Sequence, residues 1–353
     1  MIKHPDIIFD AERMKYPHTG IFHYCLQLGN ALLKKQLLHS NRIGVYLPPS
    51  VSNIFGKDVF KIYQNPLHKF RMPQVQDCKL WHVTYQGTNY FPWRSKNKVA
   101  LTIHDLNFLY EKPIEKQRKY LSILQKKINR SDAIIAISNF VKSEIINNLK
   151  IDEKKISVIY NGCNIISDII PAKPELSIPF PFIFSLGAIT PKKNIHILPA
   201  AIKGNDLHLV IAGVIQNKEY FNSLITKAKQ LGVDKKIHYL GSVSEAQKYW
   251  LLNSCDLFVF PSLAEGFGLP VIEAMRFGKP VLLSKSTSLP EIGGDMAYYL
   301  NNFSDDHISY MANYALADFN HEKLKKTIEW SNRFNWENAA NEYWNVYNKL
   351  CNP

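Results

Sequence analysis

Short apolar runs alternate with amphipathic stretches along almost all of the 353 residues. Runs of three to six apolar residues, too short for helices and bounded by polar or turn residues, predict buried strands at 7–9, 43–47, 80–83, 99–103, 133–137 and 156–160. Helical spacing of apolar positions predicts helices between them, as in IFHYCLQLGNALLKK after Gly20 and FVKSEIINNLK after a Ser138 cap. A proline-rich segment, 165–181, interrupts the alternation and reads as an interdomain linker. Beyond it the pattern restarts with FIFSLG, LHLVIAG and KIHYLG, and helices are expected from Asn194, over 220–231 and over 245–253. The stretch 48–77 is polar, aromatic and irregular, and its elements are not predicted. Strand and helix alternating in two series is the pattern of doubly wound parallel sheets, whose ligands sit beyond the carboxyl ends of the strands.

One stretch organises the second series. An apolar strand at 257–260 leads through Pro261-Ser262 into a loop carrying Glu265, Gly266, Phe267, Gly268 and Leu269. A helix is expected to begin at Pro270 and end near Gly278, with another strand at 280–283. Free backbone N–H groups and a positive helix end converge on the loop, and two glycines let a ligand approach the backbone, which makes a seat for an anion. Glu265 and Glu273 flank this seat. Two acids beside a phosphate would repel it, so they are read as acceptors for neutral sugar and ribose hydroxyls on either side. The competing reading makes Glu273 a surface partner of Arg276 and leaves Glu265 in an ordinary turn.

Composition adds mainly an asymmetry. The net charge is +13, and up to residue 165 there are 25 Lys and Arg against 12 Asp and Glu, while the remainder has 18 against 18. Much of the excess lies in EKPIEKQRKYLSILQKKINRSD, a basic amphipathic helix for which three readings stand: anionic lipid, nucleic acid or plain solvation. No nucleic-acid motif accompanies the charge, so no nucleic-acid partner is expected. The five cysteines form no C-x-x-C pair and read as reduced thiols, with neither metal site nor disulfide frame. No run reaches the length of a membrane span and the N-terminus lacks the apolar core of a signal peptide, so the chain is expected to be cytoplasmic.

Three further places carry candidate chemistry. Gly20 stands where backbone would approach a ligand, or is a plain helix cap. His104-Asp105 falls at the end of the 99–103 strand, either orienting a neutral imidazole toward a ligand or only closing the strand. Lys192 and Lys193 follow the strand ending at Gly187 and either neutralise a diphosphate or are solvated. There is no G-x-G-x-x-G fingerprint, which argues against a nicotinamide or flavin enzyme, and no D-x-D motif, since Asp305-Asp306 lie before a late helix.

Taken in order, TG before the first helix, TIHDL, AISNFVKSEI, VIYNG, FSLGAITPKKN, IAG, FVFPSLAEGFGLPVIEAM and SLPEIGGDMA resemble the retaining glycosyltransferases of family 4 over nearly the whole chain, and most of all their bacterial mannosyltransferase branch. The resemblance implies an α/β fold of GT-B architecture, two Rossmann-like doubly wound domains facing across a cleft. It implies an acceptor-side domain over 1–168, a nucleotide-sugar domain over 169–333 and a C-terminal helix, 334–353, crossing back to the first. Carried over by position, Glu265 contacts the donor sugar, the backbone of Gly266, Phe267, Gly268 and Leu269 lies beside sugar and phosphate, and Glu273 holds the ribose hydroxyls. Lys193 pairs with the diphosphate beside Gly187, His104 lies near the anomeric centre, and Gly20 lets the first domain approach the donor phosphate. Lys192 stands where relatives often have arginine, which loses the bidentate fork, and Ala188 stands where many carry another arginine. Implied overall is a metal-independent, cofactor-free transferase using a nucleotide sugar, GDP-mannose first and a UDP-hexose second. Its acceptor is a glycan or lipid-linked glycan in surface polysaccharide or lipopolysaccharide synthesis, and its basic first domain rests on the anionic inner face of the membrane. The alternatives weighed are a nucleotide-sugar epimerase of the same architecture and a non-enzymatic basic membrane-binding module.

Overall fold

The computed structural model describes residues 4–17, 19–163 and 169–352. The chain divides into two compact units, Met1–Asn164 with Phe334–Pro353, and Ile165–Arg333. The boundary expected at 168 lies outside the described residues.

The first unit is built on a seven-stranded sheet: β1 (Ile7–Asp10), β2 (Ile43–Leu47), β3 (Lys61–Tyr63), β4 (Leu80–Val83), β5 (Lys98–Ile103), β6 (Ala133–Ala136) and β7 (Ile156–Val158). All pairings are parallel, in the order β3-β2-β1-β4-β5-β6-β7. IIFD, LWHV and AIIA are buried at every position, as strands covered by helices on both faces must be. The stretch left unpredicted supplies β3, a three-residue edge strand. Its helices are α1 (Gly20–Lys35), α2 (Phe108–Glu111), α3 (Ile114–Arg130) and α4 (Asn139–Asn148).

Two of the cations counted on α3 point inward. Lys127 is buried and donates to the carbonyls of Gln86 and Thr88 at 2.7 and 2.6 Å, and Arg130 donates to those of Ser95 and Asn97 at 2.6 and 2.8 Å. Lys112, Lys116, Arg118, Lys119 and Lys126 remain exposed, beside exposed Ile114 and Ile123.

The second unit has six parallel strands, β8 (Phe182–Leu186), β9 (His208–Ala212), β10 (Ile237–Tyr239), β11 (Leu257–Phe260), β12 (Val281–Ser284) and β13 (Tyr298–Leu300), in the order β10-β9-β8-β11-β12-β13. Its helices are α5 (Lys218–Gln230), α6 (Glu245–Ser254), α7 (Leu269–Arg276), α8 (Leu289–Gly293), α9 (Asp305–Asp318) and α10 (His321–Asn332). The helix expected from Asn194 is instead a 3-10 helix, Ile195–Ile202, because in an α-helix the ring of Pro199 would clash with the carbonyl four residues back. Within the proline-rich segment, Ala172 N–H donates to the Ala246 carbonyl at 3.0 Å and Ile178 is buried, so this part packs on the second unit rather than hanging as a free linker.

The last helix, α11 (Trp336–Cys351), belongs to the first unit. It buries Tyr343, Trp344 and Tyr347 against the core under α1, and these rings are amphipathic enough to carry a polar relay inside it. Tyr343 Oη lies 2.7 Å from Tyr24 Oη, and Tyr347 Oη lies 2.7 Å from His82 Nδ1. No described helix is long and apolar enough to cross a membrane.

Candidate active site

In the second sheet the chain runs from β8 outward to β10 and then returns to β11 on the other side of β8, so the β8–β11 junction is a topological switch point, where ligands of open parallel sheets collect. Gly187, the loop from Ser262 to Gly268, and Thr287-Ser288 all follow the carboxyl ends of β8, β11 and β12 there. Gly187 has φ 148°, and a Cβ on it would meet Lys193 Cε at 3.4 Å. Gly268 caps α7 with φ 108°, so the loop reaches the helix by a conformation that a side chain would strain.

Lys193 and Glu265 form a hydrogen-bonded ion pair, both side chains largely buried. The ammonium also lies 4.8 Å from the centroid of the Phe260 ring. The lysine expected to meet a diphosphate and the acid expected to meet a sugar thus neutralise each other. The loop behind Glu265 is tied down through its backbone. Glu265 N–H donates to Thr287 Oγ1 at 2.9 Å, and Ser288 Oγ donates to the carbonyls of Glu265 and Phe267 at 3.0 Å each. Lys192 is half-buried, and its carbonyl accepts from Leu263 N–H at 2.8 Å, tying the lysine turn to the same loop.

Glu273 is not a surface residue. It is 3% exposed and pairs with Lys248 of α6 at 3.1 Å, while Arg276 donates to Ser331 instead. Burial pushes the Glu273 carboxyl up and Lys248 pulls it back. Burial alone would pull the Lys248 ammonium down, but Glu273 and Glu245 together hold it above its ordinary value. A carboxylate with one oxygen on a buried ammonium keeps acceptor capacity for neutral hydroxyls.

The first sheet brings His104 to the carboxyl end of β5. The expected His104-Asp105 pairing is not what orients the imidazole: Asp105 Oδ1 accepts from Asn107 N–H at 3.0 Å, and His104 Nε2 lies 2.8 Å from the Thr84 carbonyl. A carbonyl only accepts, so Nε2 carries the proton and Nδ1 is left as an acceptor. Burial pulls the imidazole down to about 4, against the Thr84 carbonyl, so it is neutral at physiological pH. Gln86 holds this turn, accepting from His104 N–H at 3.1 Å and donating to the Asp105 carbonyl at 2.9 Å. Gly20 is the first residue of α1, not its cap; Thr19 is the cap, accepting from Phe22 N–H at 3.3 Å. Among the described residues, no atom beyond its chain neighbours and its own helix lies within 4 Å of where a Gly20 Cβ would stand, so none of these residues demands glycine there.

Two family models divide the chain between them. Residues 22–166 match Glycosyltransferase Family 4, and residues 167–329 match Glycosyl transferases group 1. The chain belongs to glycosyltransferase family 4. It is 26% identical over 385 residues to O-antigen chain mannosyltransferase B of Escherichia coli, covering 98% of this chain and 100% of that one. It is 32% identical over 216 residues to O-antigen chain mannosyltransferase RfbU of Salmonella typhimurium, covering 60% of this chain and 59% of the relative. Among solved structures, HepE of Anabaena in complex with UDP-glucose superposes with a TM-score of 0.74 at 18% identity, over 98% of this chain and 100% of that one. The family models and the mannosyltransferase relatives make it a glycosyltransferase, and its two Rossmann-like units give it GT-B architecture.

Several residues that shape this glycosyltransferase's site carry no sequence signal of their own. Lys248 looks like any helical lysine. Thr287 and Asn194 adopt left-handed backbone at φ 55° and 54°, flanking Glu265 and Lys193, and for β-branched Thr287 this is a strained conformation of the kind that gathers at functional sites. Ser288 is visible only as part of the SLPEIGGD run.

Proposed function

We propose that this glycosyltransferase is a retaining, metal-independent enzyme that moves a hexose, mannose first, from a nucleotide sugar to a glycan or lipid-linked glycan in bacterial surface polysaccharide synthesis. The observation that carries the reading is the Lys193–Glu265 pair at the loop before α7, with buried Glu273 one turn into that helix. When the donor's anomeric bond breaks, negative charge grows on the bridging oxygen of the diphosphate. Lys193 and the N–H groups at the start of α7 stabilise that charge more in the transition state than in the ground state. As the diphosphate takes Lys193, Glu265 is released to accept from sugar hydroxyls. Glu273 binds the ribose hydroxyls, and Lys248 keeps it charged for that task. His104 presents Nδ1 as an acceptor to a donor hydroxyl, and Gly20 leaves room for the phosphate. Lys193 and the α7 N–H groups supply the charge stabilisation without a metal ion.

The O-antigen mannosyltransferases among the relatives support mannose, with GDP-mannose as donor, and a surface glycan as product; UDP-glucose in HepE keeps a UDP-hexose as the second choice. The relatives bear transferase names, which does not favour the epimerase or the non-enzymatic basic module. The exposed lysines of α3 with Ile114 and Ile123 support peripheral attachment to the anionic inner face of the membrane.

The test is incubation of purified protein with GDP-mannose or UDP-hexoses and a lipid-linked glycan acceptor, following nucleoside diphosphate release and the anomeric configuration of the glycoside formed. Release from GDP-mannose with retained configuration, lost in Glu265→Ala, is expected; unchanged turnover in that variant sinks the assignment. Liposome binding should weaken with salt, and indifference to anionic lipid refutes the membrane part.

A further inference from the structure

The first sheet has a switch point of its own. β1 and β4 are neighbours, yet the chain leaves β1 toward β2 and β3 before returning to β4 on the other side. Arg13 follows the carboxyl end of β1, and Tyr85 follows that of β4. The guanidinium carbon of Arg13 lies 4.6 Å from the centroid of the Tyr16 ring and 4.7 Å from that of Tyr85. Tyr85 lies in turn 6.4 Å, ring to ring, from His104.

Arg13 is a half-buried cation without a hydrogen-bonded counter-charge. Its Nε is buried with no hydrogen-bond partner, and it enters none of the ion pairs among the described residues. The acids around it are engaged elsewhere. Glu12 pairs with Lys15 and also accepts from Gln64 at 3.1 Å and Thr88 at 3.4 Å; Asp10 accepts from Glu12 N–H at 2.9 Å. Burial pushes the Asp10 carboxyl well above the usual carboxylate range, with Glu12 adding to the rise and Arg13 and Lys15 pulling it back. Desolvating a guanidinium without acceptors is costly, and stacking on rings fixes its plane while leaving its donors in that plane. That arrangement suits two oxygens of one anion.

We propose that Arg13, held by Tyr16 and Tyr85, binds an oxyanion of a phosphate or diphosphate ester at the β1–β4 switch point. Two sources carry this chemistry, the nucleotide sugar and a phosphorylated acceptor. The proposal rests on the transferase reading above, which gives the donor diphosphate to Lys193, so the acceptor is the expected source.

The experiment is calorimetric titration of the full chain with decyl diphosphate as acceptor-side probe, decyl glucoside as neutral control, and GDP and UDP as donor-side probes. Arg13→Gln should weaken decyl diphosphate at least tenfold and leave GDP, UDP and the glucoside within twofold. Arg13→Lys keeps the charge but not the planar fork and should fall between; Tyr85→Leu, which keeps Arg13 and removes a ring, should also weaken it. Far-UV circular dichroism and thermal melts verify folding of each variant. A tenfold loss for GDP or UDP with decyl diphosphate unchanged assigns the oxyanion to the donor. Binding of every probe within twofold of wild type in all three variants, or no measurable binding of any charged probe to wild type, overturns the proposal. Lys193→Gln separates it from the underlying reading: nucleotide binding that falls with Lys193→Gln but ignores Arg13→Gln keeps the transferase site and removes this one.

Discussion

Lys248 on α6 reaches Glu273 on α7 across 3.1 Å, and both side chains are almost wholly out of water. The ammonium also meets Glu245 at 2.8 Å. Removing only the cation leaves a buried carboxylate alone, a change that typically costs about 3–5 kcal/mol. Lys248→Met is therefore expected to lower the urea midpoint sharply and, by favouring the protonated form of Glu273, to weaken nucleotide binding. Lys248→Met combined with Glu273→Gln should recover most of the stability and none of the affinity. A double variant no more stable than the single one would mean that the pair does not account for the loss.

Lys193 and Glu265 hold each other in an ion pair, so their replacement should have opposite effects on nucleotide binding. Glu265→Gln removes the competitor for the ammonium, and GDP or UDP should bind as well as to wild type or a few-fold more tightly, while transfer falls by roughly 100-fold or more. Lys193→Gln should weaken nucleotide binding and transfer together. Weaker nucleotide binding in Glu265→Gln would remove the idea that the pair opens for the diphosphate.

Thr287 carries strain for a reason visible at its hydroxyl, which accepts the Glu265 N–H at 2.9 Å. Its left-handed backbone costs of order 1–3 kcal/mol, about what glycine would recover before losing one hydrogen bond and some unfolded-state restriction. Thr287→Gly should thus change stability by no more than about 1 kcal/mol yet reduce kcat about tenfold through the loosened Glu265 loop. Thr287→Asn, which tolerates this backbone and keeps an acceptor, should retain more activity. Equal kcat in the two variants would separate the strain from the function.

The apolar runs at 43–47 and 257–260 were legible as strands because parallel strands buried on both faces are apolar almost throughout. The second-unit site was legible where a backbone need coincides with an unusual residue, as at Gly268, or where two acids stand at helix-end spacing. Lys248 was not, since a lysine next to Glu245 in an amphipathic helix has the same pattern whether it faces solvent or a buried acid 25 residues away. The His104-Asp105 adjacency misled because neighbours in sequence need not bond to each other: His104 Nε2 meets the Thr84 carbonyl, and Asp105 accepts from Asn107 N–H. Pro199, by contrast, stood in plain view and was sufficient to predict that the segment after Asn194 could not be a regular α-helix. Arg13 carries no motif; its position became meaningful only when β1 and β4 were seen to be neighbours.

His82 and His104 are the buried imidazoles of the first sheet, and burial pulls them down to about 3 and about 4, with His104 adding to the effect on His82. His82 is fixed from both sides, Nε2 at 2.8 Å from Thr102 Oγ1 and Nδ1 at 2.7 Å from Tyr347 Oη. In the unfolded chain both titrate near about 6.5, so on acidification the unfolded state takes up protons that the folded state refuses. A folded pKa below the unfolded one means stability that is fully present above about pH 6.5 and lost as pH falls toward 4 and 3. At about 1.4 kcal/mol per unit for each group, the two together should remove roughly 3–4 kcal/mol between pH 7.5 and 5. Urea unfolding at those two pH values should show that fall, and His82→Gln should reduce it by about half even though the variant is less stable at pH 7.5. The same burial keeps His104 neutral across the working range, so kcat/KM should show no inflection near 6.5 that disappears in His104→Gln. An NMR titration of His104 with a midpoint near 6.5 would contradict both the burial argument and the assignment of Nδ1 as a permanent acceptor.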